Sequence, residues 1–159
     1  MRDATLCFLI KNTENTPTSI CLAMKKRGFG KGKWNGVGGK VEQGETIEEA
    51  VGREAFEEIG VKLKSLNKVA LLTFSFPHKP EWNQLVHAYI SSDWENNPSE
   101  SDEMSPKWFN LTDIPYADMW ADDIIWLPKA LKGEKIAATF TFDENDSISS
   151  QVLEVVDTL

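Results

Sequence analysis

A chain of 159 residues, 41% of them apolar and 26% charged, fits a single domain (residues 1–159) with a real core. Its net charge of −8 argues against non-specific nucleic-acid binding, which needs a basic surface, yet allows an anionic substrate if a divalent metal supplies positive charge. No apolar run is long enough to cross a bilayer, Met1-Arg2-Asp3 opens straight into a strand-like segment with no signal peptide, and Cys7 and Cys21 sit in apolar runs as buried, reduced thiols, so a cytoplasmic protein without disulfides is expected.

Residues 4–11 and 19–25 read as strands joined by a polar Thr/Asn/Pro loop. Residues 28–39 are loop-like, with six glycines at 28, 30, 32, 36, 38 and 39. Residues 46–59 read as a helix. Residues 68–76 and 85–91 are apolar, β-rich strands, 96–102 a polar loop and 107–111 a short strand. Residues 122–131 are helical in pattern, and 135–142 and 152–156 look like late strands. The mixture predicts one α/β domain, a mixed sheet with helices on its faces.

The first helix carries the most information. Thr46-Ile47-Glu48-Glu49 spells a capping box, and Gly60 stands where a C′ glycine ends a helix. Ile47, Val51, Ala55 and Ile59 recur every four residues as an apolar stripe. Gly52 is out of place in such an interior, at a cost of about 1 kcal/mol relative to Ala. At 100° per residue Glu54, Glu57 and Glu58 share one arc, and that arc borders the stripe instead of opposing it. Three carboxylates at a core edge repel one another and are poorly solvated, so they call for a cation; hard divalent ions take oxygen ligands of this kind. Arg53 lies beside them and reaches Glu49 or Glu57 at i±4 spacing. The preceding stretch is basic (Lys25, Lys26, Arg27, Lys31, Lys33, Lys40), an unusual neighbour for an acidic helix, although charge runs are usually just solvated faces.

Gly39, then Glu45, then Arg53-Glu54-Ala55-Phe56-Glu57-Glu58-Ile59-Gly60-Val61 resembles the Nudix box, G-x5-E-x7-R-E-U-x-E-E-x-G-U, with Ala55 smaller than the usual bulky aliphatic U. The resemblance implies a Nudix α/β/α sandwich and a hydrolase that depends on Mg²⁺, with Mn²⁺ as a substitute. It places metal ligands at the Gly39 carbonyl and at Glu54, Glu57 and Glu58, with Glu103 joining them, makes Arg53 the residue that orients the carboxylates, and leaves the base between Glu58 and Glu103. Beyond the box, residues 24–30, Trp34-Asn35-Gly36, residues 100–104 and residues 118–123 are similar to the eukaryotic-type MutT homologues within that family. That likeness implies hydrolysis of oxidised purine nucleoside triphosphates, of the 8-oxo-dGTP and 2-oxo-dATP type, to a monophosphate and pyrophosphate, which sanitises the nucleotide pool.

Base selection needs an aromatic face and polar groups on the base edge. Trp120 and Trp126 are candidates for the face, with Phe29, Phe74 and Met104 as apolar walls. By resemblance Asn35, Asp122 and Asp123 read the edge, Lys25 contacts phosphate, and Thr5 adds a polar contact. If one of two adjacent aspartates keeps its proton, it donates while its neighbour accepts. The plainer alternatives are helix N-capping for Asp122-Asp123 and core packing for the tryptophans. His78 and His87 lack partner spacing and read as structural. Trp82-Asn83-Gln84 departs from a more apolar stretch that, in the resembled enzymes, helps line the pocket, and an inserted residue lies near it, which leaves the preferred oxidised purine open. The expected partner is a small nucleotide, not nucleic acid or membrane, bound by a monomer. Two other readings compete: hydrolysis of another diphosphate (ADP-ribose, a dinucleoside polyphosphate, capped RNA), and a non-catalytic nucleotide-binding module, against which the intact box argues.

Overall fold

Alternation along the first strand decides the architecture. In β1 (Arg2–Thr13) the side chains of Ala4, Leu6, Phe8 and Ile10 enter one core cluster, and those of Cys7 and Leu9 a second on the opposite face. A strand covered on both sides reads as a near-continuous apolar run, which is why residues 4–10 are all buried. The computed structural model describes residues 1–159. It contains β2 (Thr16–Lys25), β3 (Trp34–Asn35), α1 (Ile47–Ile59), β4 (Lys62–Leu63), β5 (Asn67–Ser75), β6 (Gln84–Ser91), β7 (Trp94–Glu95), β8 (Met104–Asn110), α2 (Asp123–Leu131), β9 (Lys135–Phe142) and β10 (Ile148–Val156).

The main sheet runs β10-β9-β5-β6-β1-β2-β3, with β8 on the other side of β2, while β4 and β7 form a small separate ladder. Strands β1 and β6, and β5 and β9, pair in parallel; the other ladders are antiparallel. Helix α1 covers one face through Val51, Ala55 and Ile59, and α2 covers the other through Trp126, Leu127 and Ala130. The result is the expected α/β/α sandwich around a mixed sheet. No helix is long and apolar enough to cross a membrane.

The capping box forms as spelled. Thr46 Oγ1 accepts the Glu49 N–H at 3.1 Å, Glu49 Oε1 accepts the Thr46 N–H at 3.0 Å, and Gly60 closes the helix in the left-handed region at φ 73°. The first two strands run further than their apolar cores suggest. They meet at a two-residue turn, Glu14 and Asn15, both at positive φ (52° and 65°), instead of a long polar loop.

One irregularity positions everything that follows. Strands β1 and β2 pair only from Leu9↔Cys21 outward to the turn, and below that point they splay apart. Residues 34–40 fill the gap. Trp34 and Asn35 pair with Met24 and Ala23 of β2, and Val37 and Lys40 bridge to Cys7 and Ala4 of β1. The glycine-rich segment is thus an inserted sheet strand over its second half, not a loop.

Candidate active site

The inserted segment has two working sides. Along it, Val37 exchanges both hydrogen bonds with Cys7 (2.7 and 3.0 Å), and the Gly39 carbonyl accepts the Thr5 N–H at 2.8 Å. Gly38 lies between these two ladder residues, so its peptide groups are directed the other way. Its N–H donates to Glu58 Oε1 at 2.9 Å, and its carbonyl accepts no hydrogen bond within the protein. The carbonyl available beside the acidic helix is therefore that of Gly38, one residue before the expected Gly39, whose carbonyl is engaged in the sheet. Gly39 has a different role. A Cβ there would lie 2.6 Å from Glu54 Oε1, so only glycine lets this carboxylate lie against the strand.

On α1, Glu58 is 2% exposed and its Oε2 has no partner. Burial pushes its carboxyl up to about 7, against the opposing pull of the Gly38 N–H. Glu54 is also raised by burial, although Arg53 Nη1 donates to it at 2.9 Å. Glu57 is more exposed and leans toward Arg53 at 3.3 Å. No three acidic, histidine or cysteine side chains close on one point by themselves. The donors that meet these carboxylates are Arg53 and the Gly38 N–H. The unpartnered Glu58 Oε2, the free Gly38 carbonyl and the half-buried Glu54 together make an oxygen-only donor set suited to a hard divalent ion.

Arg53 is the hub of this side. It makes a two-pronged contact with Glu45 (Nε to Oε2 2.7 Å, Nη2 to Oε1 2.9 Å), and Nη2 also donates to the Lys40 carbonyl at 3.1 Å. Its acidic partners are thus Glu45, Glu54 and Glu57, with Glu42 further off at 3.8 Å, and Glu49 is occupied with the cap. Hydrogen bonding by Arg53 is the main cause that holds the Glu45 carboxyl down at about 2. Glu103 comes from the loop before β8. It sits 3.7 Å from Lys25 and 3.8 Å from Arg27. The same loop is fastened to the basic stretch, since the Lys26 N–H donates to the Glu103 carbonyl at 2.8 Å and the Lys26 ammonium pairs with Glu100.

On the other side of the inserted segment opens a cavity of about 570 Å³. It collects Thr5, Lys25, Phe29, Asn35, Phe74, Met104, Trp120, Asp122 and Asp123, nine of the ten expected substrate contacts, and reaches Gly38 and Gly39. Trp120 stacks with Phe29 at 5.1 Å between centroids. Asn35 Oδ1 accepts the Gly36 N–H at 2.9 Å. Thr5 Oγ1 lies 3.4 Å from both the carbonyl oxygen and the amide nitrogen of Gly39.

Trp126 is the exception. It is fully buried in the α2-side core, 6.1 Å from Phe8, and offers no face to the cavity. The i, i+4 spacing on α2 places its Nε1 against Asp122 Oδ2 at 2.8 Å, so Trp126 positions an aspartate from behind. Asp122 stands at the N-cap of α2, yet its side chain makes no capping bond. Both aspartates are 2% exposed, and Asp123 Oδ2 has no partner. Burial raises Asp122 to about 6 despite the Trp126 bond; it raises Asp123 further, with the charge of Asp122 adding to the effect. The pair therefore favours one charge and one proton near neutral pH, which gives an acceptor and a donor side by side.

Arg2, Phe76, Glu81 and Phe142 line the cavity without having been expected, and Trp82 and Gln84 come from the stretch that lines the pocket in the resembled enzymes. Period-two spacing from Phe74 points to Phe76 on the same strand face. No local signal marks Arg2, Glu81 or Phe142. His87 proves structural, bonded to Asp3 at 2.9 Å and Lys68 at 2.8 Å, and Cys7 and Cys21 are free and buried.

Comparison with known proteins agrees with this geometry. The NUDIX domain model matches residues 1–130. The oxidized purine nucleoside triphosphate hydrolase of Mus musculus is 45% identical over 141 residues, covering 89% of this chain and 90% of the mouse protein. That of Danio rerio is 45% identical over 143 residues, covering 90% and 91%. The crystal structure of a MutT mutator protein from Bacillus halodurans superposes with a TM-score of 0.81 over 97% of this chain and 98% of the other, at 22% identity, which speaks for the fold. With a family match that takes in the inserted segment, the carboxylate helix and most of the cavity, this chain belongs to the Nudix hydrolase family.

Proposed function

We propose that the protein hydrolyses oxidised purine nucleoside triphosphates, of the 8-oxo-dGTP and 2-oxo-dATP type, to the monophosphate and pyrophosphate. The observation that carries this reading is the Asp122–Asp123 pair: two buried carboxylates, one with an unpartnered oxygen, in an aromatic cavity that reaches Gly38 and Gly39, the residues against which Glu58 and Glu54 lie. A neutral carboxyl beside a charged one presents a donor and an acceptor to a base edge. Moving the proton between them lets one cavity pair with either an oxidised guanine or an oxidised adenine. The 45% identical relatives that carry the name of this activity support the same choice.

Glu54, Glu57, Glu58, Glu103 and the Gly38 carbonyl are the groups that would hold Mg²⁺ or Mn²⁺. When bound, the ion offsets phosphate charge and lowers the pKa of water. Arg53 keeps Glu54 and Glu57 at the face of α1 where phosphate arrives. Glu58, buried and with Oε2 unpartnered, is the group we assign to accept the proton of the attacking water, because its ordinary acidity is already weakened by its surroundings. Lys25, at the junction of the cavity and Glu103, supplies positive charge to the phosphate chain. On this reading the protein acts as a cytoplasmic monomer on free nucleotides and keeps oxidised bases from DNA synthesis.

The test is a side-by-side measurement of kcat/KM for 8-oxo-dGTP, 2-oxo-dATP, dGTP and dATP, on wild type, Asp122→Ala and Asp123→Ala. A base that leaves a buried carboxyl unpaired loses roughly 1–3 kcal/mol per bond, about ten- to a hundred-fold in efficiency. Wild type should favour the oxidised bases by about that factor, and both variants should lose the preference. Equal efficiency on all four substrates would overturn the proposal.

A further inference from the structure

The turn between β5 and β6 brings a large aromatic side chain, Trp82, to the cavity. Pro80–Trp82 forms a single 3-10 turn that is tied down on every side. Lys79 N–H donates to the Phe76 carbonyl (2.9 Å), Trp82 N–H to that of Lys79 (2.9 Å) and Asn83 N–H to that of Pro80 (3.0 Å). Asn83 Oδ1 accepts the Phe76 N–H at 2.6 Å and so closes the loop from its far end. Proline at the start of the turn restricts it further. Lys79 Nζ lies 4.0 Å from the centre of the Trp82 ring, so one face of this indole is covered by an ammonium group. Phe76 packs edge-on against it at 5.7 Å between centroids, and Trp82 is among the residues that line the cavity.

Phe29 connects this wall to the one on the α2 side. Its ring centre is 4.9 Å from that of Trp82 and 5.1 Å from that of Trp120. Trp120, Phe29 and Trp82 thus make one aromatic surface that runs from the entry of α2 to the β5–β6 turn. Edge contacts at Asp122 and Asp123 fix where a base sits in its own plane, and they do nothing for its two faces. Each face needs apolar surface, and stacking on an aromatic ring supplies it in proportion to the overlap. A fused purine ring overlaps an indole over a larger area than a single-ring pyrimidine does.

We propose that Trp82 is a specificity-determining residue: the second aromatic wall of the base site, on a different loop from Trp120 and held rigid by Asn83 and Lys79, that selects fused-ring bases by stacking. The inference rests on reading the cavity as a base site, and it adds a discrimination by ring size to the edge reading of the aspartates. A rigid wall matters because a mobile indole would have to be ordered at each binding event, which weakens binding.

The experiment is calorimetric binding of 8-oxo-dGMP and of dTMP, with Mg²⁺ present, to wild type, Trp82→Leu and Trp82→Phe, with thermal melts to compare folding. Trp82→Leu keeps an apolar side chain and removes the ring; it should weaken 8-oxo-dGMP binding about tenfold or more, while dTMP binding changes by less than about threefold. Trp82→Phe should recover 8-oxo-dGMP binding to within about threefold of wild type, because a flat ring is restored. In kinetics on 8-oxo-dGTP, Trp82→Leu should raise KM and leave kcat within about twofold, the signature of an interaction present equally in substrate and transition state. A Trp82→Leu protein that binds 8-oxo-dGMP as wild type does, one that loses both nucleotides equally, or a Trp82→Phe protein no better than Trp82→Leu would each overturn the inference alone. Wild-type protein that fails to bind 8-oxo-dGMP would overturn the base-site reading, and this inference with it.

Discussion

Replacing Asp122 by Asn should stabilise the protein, and should do so more at pH 7.5 than at pH 4.5. Asn keeps an oxygen for the Trp126 Nε1–H that now bonds Asp122 Oδ2 at 2.8 Å, so the change removes the ionisation and little else. Asp122 is 2% exposed, and burial raises its carboxyl from 3.8 to about 6. A carboxyl whose folded pKa is raised keeps its proton longer in the folded state than in the unfolded one. Its stability contribution is therefore complete below the unfolded value and is lost as pH rises through about 6. A shift of about two units corresponds to about 3 kcal/mol in all; roughly 1 kcal/mol of that is lost by pH 4.5 and nearly all by pH 7.5. Asn avoids this loss, so its advantage over Asp should grow by about 2 kcal/mol between the two pH values. Relief of Asp123, whose carboxyl is raised partly by the charge of Asp122, acts in the same direction. Urea denaturation of both proteins at the two pH values measures the difference, and in a domain of this size each kcal/mol appears as about 2–4 °C in Tm. An Asn variant whose advantage is the same at both pH values, or shrinks as pH rises, would refute the claim that a buried, reluctant carboxylate sits behind the base edge.

Three more outcomes are expected. Glu58→Gln preserves an acceptor for the Gly38 N–H, now at 2.9 Å, so it should fold normally and lose turnover by about a hundredfold or more; near-wild-type rates in a folded variant would remove Glu58 from the chemistry. Chelation should abolish hydrolysis and addition of Mg²⁺ or Mn²⁺ restore it, with only a small change in Tm, because the two cores on either side of the sheet are apolar and complete. Gly52→Ala should stabilise by about 1 kcal/mol, since a Cβ at that helical position meets nothing within 4 Å, and equilibrium denaturation will show it.

The carboxylate helix was legible in the sequence because its information is local. A cap, a stripe, an arc of acids and a terminal glycine all lie within one element, and the structure reproduces each. What was not legible depends on chain segments that meet only after folding. Arg53 finds Glu45, which lies outside the helix, and not Glu49 on it, because the 40–45 loop folds back over α1. Strand β3 has too few β-forming residues to announce itself and exists because β1 and β2 diverge around it. The free carbonyl beside α1 is that of Gly38 and not of Gly39 for the same reason: ladder pairing decides which peptide faces the helix. Trp126 was misread although the spacing held the answer, since a residue four places after Asp122 on a core-facing helix is placed behind it. Trp82 stands out in the sequence only as a departure from the resembled enzymes, and its contacts with Phe29 and Phe76 come from the turn that folds it over the cavity.

The inserted strand also serves as a ruler. Asn35 lies at the base cavity and the Gly38 peptide lies at the carboxylate helix, three residues further along one continuous segment. Extended backbone fixes their separation at roughly 10 Å, and pairing to β1 and β2 on its two flanks prevents it from slipping. On the function proposed above, a nucleotide whose base is held at one end would have its phosphates placed by the same segment at the other. Choice of base and choice of bond would then be linked through a stretch of main chain that no side-chain replacement can lengthen. A single residue inserted between Asn35 and Gly38 should leave each end intact and break the connection between them.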